Sequence, residues 1–214
     1  MKPRRQDSFL TAAVVTGALL FVPLKPLAGQ DAATAMIDAV GASTKGSVLT
    51  VNLTAGVTTT DARADGFEQG IKADSNLSYV GDDYTNNSVQ TASSDVTSTL
   101  AAHSDLAGIF STALFNTQGA VAALKSAHAQ NRVKIVGFDG TPTGVAALKS
   151  GEVVAQIILE PYQEGLDAGQ QAINALEGKP VIKKILTGSE IVTLANLNTP
   201  AVQKYLYSYT CPAS

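Results

Sequence analysis

The segment Val133–Gly144, VKIVGFDGTPTG, contains a buried-strand pattern followed directly by a polar turn. Residues 133–138 form a near-continuous apolar run, which is typical of a strand buried on both faces of a parallel sheet. The turn leads into a short helical pattern with Val145 and Leu148 on one face. Gly151 follows this pattern at the position where a helix-ending glycine is favoured. Such a strand–turn–helix unit predicts an α/β protein.

Similar units occur on both sides of this segment. Helical periodicity separates the apolar runs, and the clearest case places Val89, Ala92, Val96 and Leu100 on one helix face. Alternation of strands and helices implies right-handed crossovers, so we predict a doubly wound parallel sheet of about five strands. The other four predicted strands are Val48–Leu53, Leu77–Val80, Leu106–Phe110 and Val153–Leu159.

The chain after the fifth predicted strand has a different organisation. Pro161 is a favoured first helical residue, and Gly178 suits the end of the helix that it begins. Two further short strands are predicted at Val181–Leu186 and Ile191–Leu194, and a final short helix is predicted around three tail residues. The apolar stripe of the Pro161 helix comprises Tyr162, Leu166, Gly169, Ile173 and Leu176, and the tail residues are Tyr205, Leu206 and Tyr209.

The first 29 residues have the three parts of a secretory signal. Basic residues precede the apolar run Phe9–Leu24, and the small residues of Leu27-Ala28-Gly29 follow it. We therefore predict export, with cleavage near Gly29 or Ala33 and no remaining anchor. A membrane anchor and misassigned coding sequence remain alternative interpretations of this segment.

The composition of the chain and the absence of common catalytic motifs limit the kinds of function that it could have. The 214 residues include 45% hydrophobic and 15% charged residues, as in a globular protein, and the net charge of −3 without a basic stripe argues against a nucleic-acid partner. No G-x-S-x-G, S-x-x-K or H-E-x-x-H motif is present. Asp82 and Asp83 are near Asn86 and Asn87, but the segment lacks the spacing of a calcium loop. We expect no catalytic residues, no cofactor and no metal.

Polar residues follow the predicted strands at their carboxyl ends, where ligands bind in such sheets. Carboxylates, amides, an arginine and an aromatic ring suit a polyhydroxyl ligand. The alternative is that these are ordinary helix-capping and turn residues. The segments concerned are Thr54–Arg63, Asp82–Asn87, Ser111–Asn116 and Asp139–Thr143.

Four segments together resemble the ribose-type periplasmic binding proteins of bacterial ABC importers, which share a fold with lactose-repressor effector domains. These segments are Thr54–Gly70, LAGIFSTALFNTQGAVAAL at 106–124, Val133–Gly144, and ILEPYQEGLDAGQQAINALEGKPV at 158–181. The resemblance covers residues 30 to 195. It implies capture of a small sugar in the periplasm, delivery to a membrane permease, and closure of two lobes without chemistry.

The resemblance also suggests residue roles. Arg63 occupies the place of a sugar-contacting arginine, and Asp139 that of an aspartate that accepts hydrogen bonds from sugar hydroxyls. Tyr84 matches an aromatic position that stacks on the sugar ring, and Thr54 matches a contact near the hinge. Thr112 and Ala113, which follow the predicted strand Leu106–Phe110, complete the predicted ligand-binding residues.

Two positions depart from the family pattern. Ala113 stands where the family usually has Asn, and Leu159 stands where it usually has Gln. Each change removes hydrogen-bonding groups, and a lost polar partner in a closed site costs about 1–3 kcal/mol. We therefore expect weak or no sugar binding, or a more apolar ligand.

Compared with the family, the chain begins almost directly in the second lobe, so we interpret it as N-terminally truncated. Residues 1–29 are the signal-like segment, 30–158 the second lobe, 159–186 a segment returning to the missing first lobe, and 187–214 the return to the second lobe with the tail. The stripe of the Pro161–Glu177 helix would then lack its partner sheet and could form a dimer. Two alternative functions remain. The chain could be a ligand-sensing or interaction module, or it could be an enzyme that uses Asp139 as a base.

Overall fold

The computed structural model describes residues 20–21, 25–73, 76–182, 184–185 and 187–208. Most of the signal-like segment lies outside the described residues, as does Tyr209 of the predicted tail helix. Among the helices described here, none is long and apolar enough to cross a membrane.

The centre of the protein is a six-stranded sheet. Its strands are β2 (Gly46–Asn52), β3 (Leu77–Tyr84), β4 (Leu106–Ser111), β5 (Lys134–Phe138), β6 (Ala155–Leu159) and β8 (Ser189–Val192). They lie in the order β3-β2-β4-β5-β6-β8, and the first five in this order run parallel, which confirms the predicted doubly wound α/β fold and all five predicted strands. The sheet has six strands instead of about five, because β8 pairs antiparallel with β6 at the edge.

Helices cover both faces of the sheet. Both faces are therefore buried, which explains why apolar residues follow one another without interruption along the strands. Along each strand, neighbouring side chains point to opposite faces. Ile109 and Ile135 thus belong to one buried cluster, whereas the adjacent Phe110 and Val136 belong to the other. The helices are α1 (Lys25–Val40), α2 (Thr58–Lys72), α3 (Val89–Ala102), α4 (Leu114–Ser126), α5 (Pro142–Lys149), α6 (Pro161–Leu176) and α7 (Pro200–Gln203).

Helix α1 was not predicted, because its first residues were assigned to the end of the targeting segment. Its buried residues include Ala28, Ala32, Ala33 and Met36, which pack in the same cluster as Phe67 of α2. Alanine is a good helix former but gives no distinct apolar stripe, so periodicity does not detect this helix. Cleavage at Ala33, as predicted, would fall inside α1.

Helix α6 starts at Pro161 as predicted, and its apolar stripe faces outward. Tyr162 is 63% exposed and Leu176 87% exposed. The segment after α6 covers a different side of the helix, where Gln171 Oε1 accepts a hydrogen bond from the Ile182 amide at 2.8 Å. Beyond it, β7 (Lys184–Ile185) pairs in parallel with β1 (Leu20–Phe21), in a second sheet separate from the six-stranded one.

The predicted tail helix is misplaced. Helix α7 ends at Gln203, so Tyr205 and Leu206 follow it instead of forming it. Pro200 fixes the start of α7, since proline suits the first helical turn. Tyr205 is buried in the core and the Tyr207 amide donates to the Gly140 carbonyl at 2.9 Å, which brings the tail to the turn after β5.

Candidate functional site

The carboxyl edge of the parallel sheet brings together three predicted site residues. Thr112 follows β4, Asp139 follows β5, and Arg63 reaches this edge from α2. In a parallel sheet all these strand ends lie at one edge, so side chains distant in sequence can converge there.

Arg63 is held by two contacts. Its Nη1 donates to the Thr112 carbonyl at 2.7 Å, and its Cζ lies 3.7 Å from the centroid of the Phe138 ring. Burial lowers the pKa of the guanidinium, while the nearby Asp139 and Tyr207 act in the opposite direction. An arginine remains charged in proteins, so the site contains a fixed cation with donors to spare.

Asp139 has a backbone conformation that few side chains adopt. Its φ is 79°, in the left-handed region that aspartate and asparagine tolerate better than most residues. The Asp139 amide donates to the Ile157 carbonyl at 3.0 Å, which anchors the turn to β6. Burial raises the pKa of the carboxyl, and Arg63 and the Tyr207 hydroxyl oppose that rise. The site therefore pairs a half-buried acceptor with a nearby cation.

Tyr84 and Thr54 lie at the other side of the same edge. Tyr84 ends β3, which is three strands away from β5, or about 14 Å at the usual strand spacing. Its side chain is 41% exposed, and Thr54 donates from Oγ1 to Asn86 Oδ1 at 3.3 Å. The structure thus places these two at the rim and groups Arg63, Thr112 and Asp139 at the centre.

Asn52 links the rim to the centre and was missed because it was counted as part of a strand. It is fully buried. Its Oδ1 accepts from Thr112 Oγ1 at 2.9 Å and its Nδ2 donates to Asp61 Oδ1 at 3.3 Å. A buried asparagine with partners on both amide atoms fixes the Thr112 loop. The sequence signal that could have identified Asn52 as a site residue was its position at the end of a predicted strand.

The residues that depart from the family pattern make one flank of the site apolar. Ala113 precedes α4 and provides no side-chain cap to that helix, and Phe115 in its first turn is 43% exposed. Leu159 is half-buried at the end of β6, the strand beside β5. Neither side chain can bond to a hydroxyl group.

A groove of about 470 Å³ lies elsewhere, between α4 and α5. Its lining does not include Arg63, Thr112 or Asp139. In the part of the chain that the structure describes, no group of three or more histidine, cysteine, aspartate or glutamate residues could hold a metal ion.

The family model for the periplasmic binding protein domain matches residues 25–180. The ribose import binding protein RbsB of Haemophilus influenzae is 37% identical over 95 residues, which are 44% of this chain and 32% of the relative. The corresponding protein of Salmonella typhimurium is 38% identical over 85 residues, 40% of this chain and 28% of the relative.

Solved structures extend the similarity to most of the described fold. An ABC transporter solute-binding protein from Agrobacterium vitis, bound with α-D-tagatopyranose, matches with a TM-score of 0.81 and 29% identity. The match covers 88% of this chain and 62% of that one. A second A. vitis protein, with bound D-fucose, has a TM-score of 0.79 and 33% identity, covering 87% of this chain and 64% of that one. The chain spans less than two thirds of the length of these relatives. It belongs to the periplasmic binding protein domain family.

Proposed function

We propose that this chain binds a small sugar at the carboxyl edge of its sheet, as the solute-binding part of an ABC importer that delivers sugar to a membrane permease. The observation that carries the proposal is the meeting of Arg63 and Asp139 beside the Thr112 loop. A guanidinium offers several donors and a carboxylate several acceptors, and together they suit neighbouring sugar hydroxyls.

The relatives support this class of function. They are named for ribose import, or were solved with tagatose and fucose. Family membership also supports a binding protein instead of an enzyme. A periplasmic location agrees with this family, and the segment before α1 would provide the export signal.

We infer that residues 30–158 and 187–214 belong to one lobe and that 159–186 leads to the other. The support is that β8 returns to the six-stranded sheet through its pairing with β6. β7, by contrast, pairs only with β1 in a separate two-stranded sheet.

The residues described here provide one wall of a sugar site, and we propose that binding is weak. A complete site covers about 70–90% of a ligand's surface, whereas one wall leaves the outer hydroxyls in water. Ala113 and Leu159 remove further polar contacts. We therefore expect a dissociation constant of about 1 mM or weaker, equivalent to roughly −4 kcal/mol.

Ligand-observed NMR with D-ribose, D-allose, D-tagatose, D-fucose and D-arabinose tests the proposal. We expect at least one sugar to bind in the millimolar range and Asp139→Ala to abolish that binding, since the carboxylate is the main acceptor. Asp105→Ala is the matched control, because this exposed aspartate lies at the opposite edge of the sheet. Binding that survives Asp139→Ala would place the site elsewhere, and micromolar binding would contradict the one-wall account.

We further propose that a second copy of the chain covers α6. The exposed side chains Tyr162, Leu166, Ile173 and Leu176 fall within one face of the helix. Among the described residues, the end of α6 carries no free positive charge, since Lys179 pairs with Glu177 of the same chain at 2.6 Å. In an antiparallel pair related by a two-fold axis, the apolar face of each helix would cover that of the other. The exposed apolar area of this face is therefore the support for the arrangement.

Analytical ultracentrifugation at several protein concentrations tests this dimer. We expect the wild-type chain to associate and Leu166→Glu to be monomeric, because the three remaining apolar side chains of each copy would face a buried charge. Leu194→Glu is the control, since Leu194 is equally exposed but lies outside α6. Monomers at all concentrations of the wild-type chain, or dimers that survive Leu166→Glu, would refute the arrangement.

A further inference from the structure

The C-terminal segment contacts the turn that carries Asp139. The Tyr207 amide donates to the Gly140 carbonyl at 2.9 Å, and the Tyr207 hydroxyl donates to Asp139 Oδ1 at 3.3 Å. The same residue therefore touches the turn through both its backbone and its side chain.

The part of the tail that precedes Tyr207 is anchored in the core. Leu197, Val202 and Tyr205 are buried in the core that lies under α3, α4 and α5. A β-carbon at Gly140 would lie 3.3 Å from the Tyr205 carbonyl oxygen and 3.0 Å from Ile158, so the tail and the turn are in close contact. Anchoring of this kind fixes the backbone beside Tyr207 without help from a ligand.

We propose that Tyr207 is a positioning residue for Asp139, and that the C-terminal segment is thereby a structural part of the sugar site. This inference rests on the proposed function. The hydroxyl holds Oδ1 in one orientation and leaves Oδ2, and the second lone pair of Oδ1, to accept from ligand hydroxyls. An acceptor fixed before binding loses less rotational freedom when the ligand arrives.

The charges around the pair agree with this role. Burial raises the pKa of Asp139, and both Arg63 and the Tyr207 hydrogen bond lower it. Burial raises the pKa of Tyr207, Asp139 and Glu164 of α6 raise it further, and Arg63 lowers it. Loss of the Tyr207 hydroxyl should therefore raise the pKa of Asp139, and a carboxyl that protonates at higher pH accepts hydrogen bonds less well near that pH.

The test compares the full chain with its Tyr207→Phe and Tyr162→Phe variants. Tyr162→Phe removes the same hydroxyl from an exposed ring on α6. Carbon-detected NMR follows the titration of the Asp139 carboxyl without sugar, and the tightest-binding sugar of the panel is titrated at pH 7 and at lower pH. For Tyr207→Phe we expect a higher Asp139 midpoint and an affinity reduced by about two- to tenfold at pH 7, with a larger loss on acidification. Tyr162→Phe should match the wild type in both measurements.

The two measurements separate this inference from the proposed function. An Asp139 titration that is unchanged in Tyr207→Phe overturns the inference, whatever the sugar data are. Equal sugar affinity in wild type and Tyr207→Phe overturns it as well. If the wild-type chain binds none of the sugars, the proposed function fails, and the titration of Asp139 alone decides whether Tyr207 holds the carboxylate.

Discussion

Gly29→Ala should destabilise the protein by about 2–3 kcal/mol, although alanine is normally the better helix residue. Gly29 lies in α1 where the helix meets α2. A β-carbon there would overlap the carbonyl oxygen of Arg63 and would lie 2.7 Å from the amide nitrogen of Phe67. Both atoms belong to the backbone of a helix, so they cannot move aside as a flexible side chain could. The two helices would have to separate and lose part of the packing around Phe67.

Gly165→Ala provides the matched control for this prediction. Gly165 also lies inside a helix, and nothing lies within 4 Å of the added β-carbon. The change should stabilise the chain by up to about 1 kcal/mol, as expected from helix propensity alone. Urea unfolding followed by circular dichroism measures both variants. If Gly29→Ala and Gly165→Ala changed the free energy of unfolding equally, α1 would not pack against α2 in this way.

The prediction also concerns the start of the folded region. Cleavage of a signal was predicted near Gly29 or Ala33, whereas the structure places Ala28 and Ala32 in the core. A large loss of stability in Gly29→Ala would mean that α1 is needed for the fold, and therefore that cleavage inside it would impair the protein.

The sheet could be predicted from the sequence because its strands are buried on both faces. Burial on both faces requires apolar residues at nearly every position of a strand, which gives runs such as residues 133–138. A helix on the surface would instead have polar residues between its apolar ones. The candidate site could be proposed for a related reason, since the carboxyl ends of parallel strands share one edge. The roles proposed for Arg63 and Asp139 come from the family resemblance instead, because polar residues at strand ends are also typical of ordinary turns.

Three features could not be predicted, each for a physical reason. Helix α1 has an alanine-rich interface, so its buried face carries no pattern of large apolar residues. A strand was predicted at Ile191–Leu194, which overlaps β8, but its antiparallel pairing with β6 depends on where the chain returns and not on its own sequence. Tyr207 reaches Asp139 across 68 residues of chain, and no local motif encodes a contact of that range.

Arg63→Met should reduce sugar affinity by roughly tenfold to a hundredfold, because hydrogen bonds to a charged group are the stronger ones in such a site. Methionine keeps an unbranched side chain over the Phe138 ring but removes the cation and its donors. The change has a second effect, since Arg63 lowers the pKa of Asp139. Without it that pKa rises further, and binding should be lost at a higher pH when the solution is acidified.

Arg132→Met is the control for the loss of an arginine. Arg132 Nη1 donates to the carbonyls of Ser104 and Leu106 at 3.0 Å each, at the amino end of β4 and thus at the opposite edge of the sheet. We expect the sugar affinity of this variant to equal that of the wild type, even if its stability falls. A parallel loss of binding in both variants would mean that general destabilisation, and not the site, causes the effect.

The most direct test of a sugar site at this edge is a titration of the isotope-labelled chain with the tightest-binding sugar, followed amide by amide in NMR spectra. The account predicts millimolar, saturable shifts concentrated around Arg63, Thr112, Asp139 and Gly140, and their disappearance in Arg63→Met. Shifts concentrated in the groove between α4 and α5, or unchanged shifts in Arg63→Met, would contradict it.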